Sequence, residues 1–512
     1  MNDVLPSGWI NTTLEAVAIW SSGGTPSRSM PSFYLGTIPW FKTGELGGLY
    51  ITDSEEKISP EAVASSSAKI FPKGSVILAM YGATIGKTSI LGIDAATNQA
   101  CAAGKPDAVD SLFLYYYLVS QTKGFIDAGK GGAQPNISQG IVRNWPIWVP
   151  PAAEQIRIVE KLEELLSDLD AGVAELRAAQ KKLGQYRQSL LKAAVEGALT
   201  ADWRKNQISQ KTKPAESGTQ LLKRILHQRR TRWEAKQLAK FKEQGKTPAK
   251  DWESKYVEPV APETAGLPEL PKGWVWSSLG ECFHVAVGAT PSRKEPNYWS
   301  GGVPWVSSGE VRFNRITATK ETISEDGLNN SSTQINPVGS VLLGMIGEGK
   351  TRGQVAILDI EAANNQNCAA IRVSETDIPP EYAYFWLWSR YDETRRGSSG
   401  NNQPALNKSI VESIPFPLPP LDELPQIVQA VSASLLQISD QETAIEYSLK
   451  QAAAQRKNIL KAAFAGQLVP QDPQDEPASA LLARIRAERV KQGALPKVRK
   501  SKIRKEDACV MD

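Results

Sequence analysis

Histidine is almost missing from this 512-residue chain, which has two, and cysteine is scarce, with four. With only His227 and His284 available, imidazole acid–base catalysis and histidine-rich metal clusters have little to draw on. Cys101, Cys282, Cys368 and Cys509 form no C-x-x-C pair, so neither a zinc site nor a disulfide framework is readable. Long apolar runs are lacking too. The longest, Leu112 to Val119 and Tyr382 to Trp388, fall well short of the ~20 residues a membrane-spanning helix needs. Met1 to Ile10 shows no basic stretch followed by an apolar one, so no secretory signal is read and a cytoplasmic protein is expected. H-E-x-x-H, G-x-S-x-G and the Asn-Pro-Pro-aromatic run of amino methylation are all absent, which points away from catalysis in this chain.

What is present suits a multidomain globular protein: 41% hydrophobic and 22% charged residues, over a length expected to give two to four domains. The net charge of +4 is small but clumped. Residues 201 to 256 hold fifteen Lys/Arg against six Asp/Glu, and Lys491, Lys497, Arg499, Lys500, Lys502, Arg504 and Lys505 crowd the tail. Such runs are either solvated surface or phosphate contacts.

The chain repeats itself. Residues 5 to 48 align with 270 to 313 without a gap: Leu5, Gly8, Trp9 and Leu14 match Leu270, Gly273, Trp274 and Leu279. Thr25-Pro26-Ser27-Arg28 matches Thr290-Pro291-Ser292-Arg293, Pro39-Trp40 matches Pro304-Trp305, and Gly44-Glu45 matches Gly309-Glu310. Further on, Asn98-Gln99 matches Asn365-Gln366 and Gln134-Pro135 matches Gln403-Pro404. Cys101 and Cys368 occupy equivalent places, as small buried core residues would. Within each copy, Ser75 to Met80, Thr88 to Ile93, Ser340 to Met345 and Gln354 to Leu358 read as strands, with helices over Leu112 to Gln121 and Glu381 to Arg390. The fold class is therefore α/β mixed.

After each copy comes a long amphipathic helix. Leu162, Leu169, Leu176, Leu183 and Leu190 recur every seven residues, with a second register at Val159, Leu166, Val173, Gln180, Arg187 and Ala194. The later helix keeps the phase through Val431, Leu435, Ile438, Ile445, Leu449 and Ile459, interrupted by Glu442 and Arg456. Both follow a proline pair, Pro150-Pro151 and Pro419-Pro420, which suits a helix start. Two seams in one chain can pair with each other, or each helix can pack on its own domain. Glu216 to Ile225 also resembles Glu476 to Ile485, so the repeat extends beyond the helices. The expected boundaries are globular domains at 1–151 and 267–420, long helices at 152–200 and 421–469, a basic helical segment and linker at 201–266 with a polar helix over Gly218 to Gln244, and a helical, basic tail at 470–512.

Gly344 to Thr351 satisfies the phosphate-loop pattern G-x-x-x-x-G-K-T. That site requires a helix starting at the Lys-Thr. The following Arg352 to Leu358 reads instead as a strand, and the other copy, Gly82 to Thr88, is one residue short of the pattern. A hairpin presenting Lys350 and Arg352, or Lys87, to phosphates is the competing reading. Polar loops, Gly129 to Gln139 with Lys130, Gln134 and Asn136, and Gly397 to Lys408 with Asn401, Asn402 and Gln403, suit hydrogen bonding to base edges or are ordinary turns. Thr25 with Arg28, and Thr290 with Arg293, are phosphate contacts or turns braced by an internal ion pair.

Together the Leu-Pro-x-Gly-Trp openings, the Thr-Pro-Ser-Arg and Pro-Trp pairs, the Gln-Pro loops and the Pro-Pro-to-helix transitions resemble the specificity subunit of type I restriction-modification systems, over nearly the whole chain. The resemblance implies two target recognition domains, each reading half of a bipartite DNA site, and an antiparallel coiled coil that spaces them and docks two modification and two restriction/translocase subunits. It leaves S-adenosylmethionine, ATP and Mg to those partners, with no cofactor or metal here. Loop positions that differ between the copies, such as Lys42-Thr43 against Ser307-Ser308, imply an asymmetric target. A helix from Val159 to Ala194 runs roughly 50 Å at about 1.5 Å per residue, on the order of one and a half turns of B-DNA. Two other readings stay open: an ATP-binding protein using Gly344 to Thr351, and a DNA-free coiled-coil adaptor.

Overall fold

A computed structural model describes residues 6–129, 135–210, 216–248, 250–347, 350–396 and 406–491. In the first domain, Val76–Ala79 and Thr88–Leu91 pair antiparallel, Val76 opposite Ile90. Both strands are buried along their whole length. Successive side chains of a strand point to opposite faces, so Val76, Leu78 and Ile90 enter one core while Ile77, Ala79 and Leu91 enter another. The five-stranded sheet runs Ala18–Ser22, Cys101–Pro106, Val76–Ala79, Thr88–Leu91, Tyr50–Ile51, antiparallel except for its last pair. A smaller sheet holds Glu56–Ile58, Ile38–Phe41, Ala95–Thr97 and Ile70–Phe71. Helix Ser111–Ser120 starts where the Asp110 carboxylate accepts from the amides of Leu112 and Phe113, and it buries Phe113, Leu114 and Leu118 in the first of those cores.

The second domain repeats this order: His284–Val287, Cys368–Arg372, Val341–Gly344, Val355–Leu358, Asn314–Ile316, with helix Pro380–Ser389 covering it. Its smaller sheet has three strands, Glu321–Ile323, Trp299–Val306 and Ala363–Asn364. Cys101, Cys282 and Cys368 are buried free thiols; Cys509 lies outside the described residues. Strand Val341–Gly344 leads through a hairpin to Val355–Leu358, and Lys350 to Gly353 form turns rather than the first turn of a helix. The phosphate-loop pattern is therefore a hairpin without a helix N-terminus after Thr351. Its Glu348 and Gly349 lie outside the described residues.

The long helices span Ala152–Val195 and Leu424–Phe464. Leu162, Leu190, Val431 and Ile438 are buried, while Leu169, Leu176, Leu183, Leu435, Ile445, Leu449 and Ile459 are half-buried along helices whose other residues are mostly exposed. This is the periodicity of a seam. By packing, the chain divides into residues 1–177 with 446–512, and residues 178–445. Each unit holds one globular domain, the start of the helix that follows it, and the end of the other helix with its trailing segment. In the first unit Ile158, Val159, Leu162 and Leu166 share a core with Leu460, Ala463 and Phe464. In the second, Leu191, Ala194 and Val195 share one with Leu424, Ile427 and Val431. Start meets end in both, so the helices form an antiparallel coiled coil. The charged interruptions are satisfied across the seam: Arg187 reaches Glu442 at 2.5 Å, and Arg456 pairs with Asp170.

Each domain grips its helix through a buried carboxylate. The Trp9 indole N–H donates to Glu154 at 3.0 Å and the Trp274 indole to Glu423 at 2.8 Å. Gln471 also donates to Glu154, while Thr200, at 2.6 Å, and Arg204 donate to Glu423. The trailing segments pack alike. The amide of Gly218 donates to the Gly273 carbonyl at 2.8 Å, and that of Ala478 to Gly8 at 2.9 Å. Arg229, on basic helix Gly218–Glu243, donates to the carbonyls of Gly280 and Phe283; Arg489, on helix Ala478–Lys491, donates to that of Glu15 and pairs with Asp107. Leu221 and Ile225 bury in the second domain's core. Arg204, Arg224 and Arg229 are half-buried, whereas the other described lysines and arginines between 201 and 256 are exposed. The tail lysines and arginines from Lys497 onward lie outside the described residues.

Candidate nucleic-acid interface

One end of each five-stranded sheet gathers loops that are far apart in sequence. In the first domain the Gly24 amide donates to Thr97 at 2.9 Å, and the buried Trp40 indole donates to the Gly24 carbonyl at 2.9 Å. In the second domain Ala289 and Trp305 repeat these bonds, Ala289 to Asn364 and Trp305 to Ala289, both at 3.0 Å. The backbone comes so close here that a Cβ on Gly288 would lie 1.9 Å from the Asn364 carbonyl oxygen, which leaves only glycine.

This approach brings the Thr-Pro-Ser-Arg turn against the Asn-Gln turn. Thr25 donates its hydroxyl to Gln99 Oε1, and Thr290 does the same to Gln366 Oε1 at 2.5 Å. The guanidinium of Arg28 lies 4.1 Å from the Tyr34 ring centre and 2.7 Å from Glu56; that of Arg293 lies 3.6 Å from the Trp299 ring centre and is bidentate to Glu321 at 2.5 and 2.9 Å. Both arginines brace their turns internally. Lys42 reaches Glu56 at 3.1 Å and Glu55 at 3.2 Å. Hydrogen bonding to Arg28 holds the Glu56 carboxyl below its ordinary value, and bonding to Glu56 raises Arg28 and Lys42.

Beside this cluster, Lys42 opens the short helix Thr43–Glu45, and Ser307 opens Ser308–Glu310, its amide and hydroxyl bonded to Glu310 at 3.0 and 2.9 Å. The hairpins stand on its other side. The amide of Met80 bonds Ala100 and that of Met345 bonds Asn367, each at 2.8 Å. Lys87 and Lys350 are exposed at these hairpins, and Arg352 lies in the same turn as Lys350. Asn136 bridges to Tyr81 on the first hairpin. On the second, the Tyr391 hydroxyl donates to the Lys350 carbonyl at 3.0 Å. Thr25, Arg28, Lys42, Thr43, Lys87 and Asn136 are therefore drawn to one sheet end, as are Thr290, Arg293, Ser307, Ser308, Lys350 and Arg352 in the other copy. Lys130, Gln134, Asn401, Asn402 and Gln403 lie outside the described residues.

Sequence reasoning did not select Gln99, Gln366, Glu56 or Glu321 as site residues. The two glutamines stood in plain view as repeat markers, but only the fold places them at this end. Among the described residues no group of three or more His, Cys, Asp or Glu could hold a metal ion, and no helix is long and apolar enough to cross a membrane.

Residues 6–176 and 271–455 match the family described as the type I restriction modification DNA specificity domain. The chain is 24% identical over 406 residues to the type I restriction enzyme EcoDI specificity subunit of Escherichia coli, covering 77% of this chain and 80% of that one. It is 23% identical over 422 residues to the MjaIX specificity subunit of Methanocaldococcus jannaschii, covering 81% and 84%. Its fold matches a chain from a structure concerned with complex assembly and conformational transition of the type I R-M system, with a TM-score of 0.65 at 18% identity, over 91% of this chain and 99% of that one.

Proposed function

The chain belongs to the type I restriction modification DNA specificity family, and from that premise we propose how its parts divide the work. It is the sequence-reading, non-catalytic subunit of a type I restriction-modification complex. Each globular domain reads one half of a two-part DNA target with the loops at one end of its sheet, and the coiled coil holds the two readers apart and receives the modification and restriction subunits. The observation that carries this is one framework built twice, with the same Thr–Gln and Arg–Glu pairs and different neighbours, Lys42-Thr43 against Ser307-Ser308. Different neighbours make the two half-sites different, so the target is asymmetric.

Because the helix is duplicated along with the domain, the chain offers two equivalent docking surfaces, and we assign it two modification and two restriction/translocase subunits. S-adenosylmethionine, ATP and Mg belong to those partners. The chain works beside DNA in the cytoplasm. Methylation mapping by long-read sequencing, in a host carrying this chain with its modification subunit, tests the reading. A gapped two-part motif that changes in one half when residues 5–151 are exchanged for those of a relative is the expected result. Methylation indifferent to deletion of the chain would sink it.

A further inference from the structure

We infer that Gln99 and Gln366 are matched contacts to the DNA backbone, one in each half-site, that carry no sequence information; this rests on the DNA-reading role proposed above. Each glutamine sits in the turn between equivalent strands, Ala95–Thr97 and Cys101–Pro106 in one domain, Ala363–Asn364 and Cys368–Arg372 in the other. Each is exposed, and each has its carboxamide oxygen taken by the threonine opposite it. Among the described residues the amide N–H groups donate to nothing. With one lone pair of that oxygen already engaged, the group each side chain has wholly free is its N–H edge. It suits an acceptor, and every nucleotide step presents phosphate oxygens.

Two domains that read different sequences gain nothing in discrimination from the same exposed residue in the same geometry, so the shared contact serves what both half-sites have in common. The cations braced within this cluster do not compete for that role. Arg28 and Lys42 are paired with Glu56, and Arg293 with Glu321. Thr25 and Thr290 are positioning residues: they hold the carboxamide oxygen and leave the N–H groups free for a partner.

The test uses the full chain with its modification subunits, titrated against its methylated motif and against a duplex with one half scrambled, from 50 to 200 mM salt. Gln366→Ala is expected to weaken binding to both duplexes by the same factor, roughly ten-fold for a hydrogen bond to a charged acceptor. The slope of log affinity against log salt should stay unchanged, since no cation is lost. The methylated motif should stay the same, and Gln99→Ala should behave alike. A base newly tolerated in either half would make these glutamines base readers and overturn the inference. So would full affinity in both variants, with or without a fall in melting temperature. If the unsubstituted complex shows no preference for its motif, the DNA-reading role itself fails.

Discussion

Glu154 is buried where the first long helix leaves its domain, accepting from the Trp9 indole. Burial raises its pKa above the ordinary carboxylate value. A raised folded-state value means that the fold favours the protonated form. Its stabilising effect is complete below the unfolded value and is lost as pH rises through the folded one. Glu154→Gln keeps an acceptor for Trp9 without the charge. The variant should therefore melt higher than the parent at neutral pH, with the gap closing as pH falls towards the ordinary carboxylate range. A gap that widens on acidification would contradict the assignment. Glu154→Ala instead strands the buried indole N–H and should cost about 1–3 kcal/mol in chemical denaturation. The aromatic end of this contact was legible in the repeated Gly-Trp openings. Its partner was not, because a glutamate in the first turn of a helix looks like any surface residue until the tryptophan is seen to reach it.

At the scale of elements, the heptad leucines marked both long helices, and Glu442 and Arg456 stood out as breaks in the second seam. The structure makes them part of it, since Arg187 and Arg456 occupy equivalent repeat positions and each pairs with an acid on the opposite helix. Reversing both charges, Arg187→Glu with Glu442→Arg, should recover much of what either single change loses. A coupling of about 0.5–3 kcal/mol in a double-mutant cycle is expected, whereas simple additivity would deny the seam its register pair. Helix length should also set the unread gap in the DNA target. Seven residues inserted into each helix at equivalent places add roughly 10 Å at about 1.5 Å per residue. The methylated motif should keep both halves and widen its gap by up to about three base pairs, at about 3.4 Å each. An unchanged gap would detach helix length from DNA spacing.

For the whole molecule, the unit of folding is not the unit of sequence. The segment after the second helix completes the first domain: Ala478 bonds Gly8, Arg157 pairs with Asp475 at 2.7 Å, and Leu482 and Ile485 pack against the first domain's core. Ending the chain at Pro470 should therefore lower the first domain's thermal stability and weaken methylation through the half-site that domain reads. The other half-site should lose less. Equal losses in both halves, mapped by exchanging each domain in turn, would show that the segment acts generally rather than on the domain it touches.

The sequence by itself determined the duplication, the strand–helix content of each copy, the coiled-coil seam and the family resemblance, because all of these are written in local periodicity and in residue identities that recur along the chain. Val76–Ala79, helix Ser111–Ser120 and the strand after the false phosphate loop were readable for that reason. Only the tertiary structure decided what meets what. It showed that Arg28 and Arg293 are spent on Glu56 and Glu321, that the basic helix Gly218–Glu243 packs on the second domain, that the tail segment closes the first, and that Gln99 and Gln366 stand at the sheet ends. Those contacts join residues from 28 to several hundred positions apart. No local pattern encodes them; they exist only once the chain has folded back on itself.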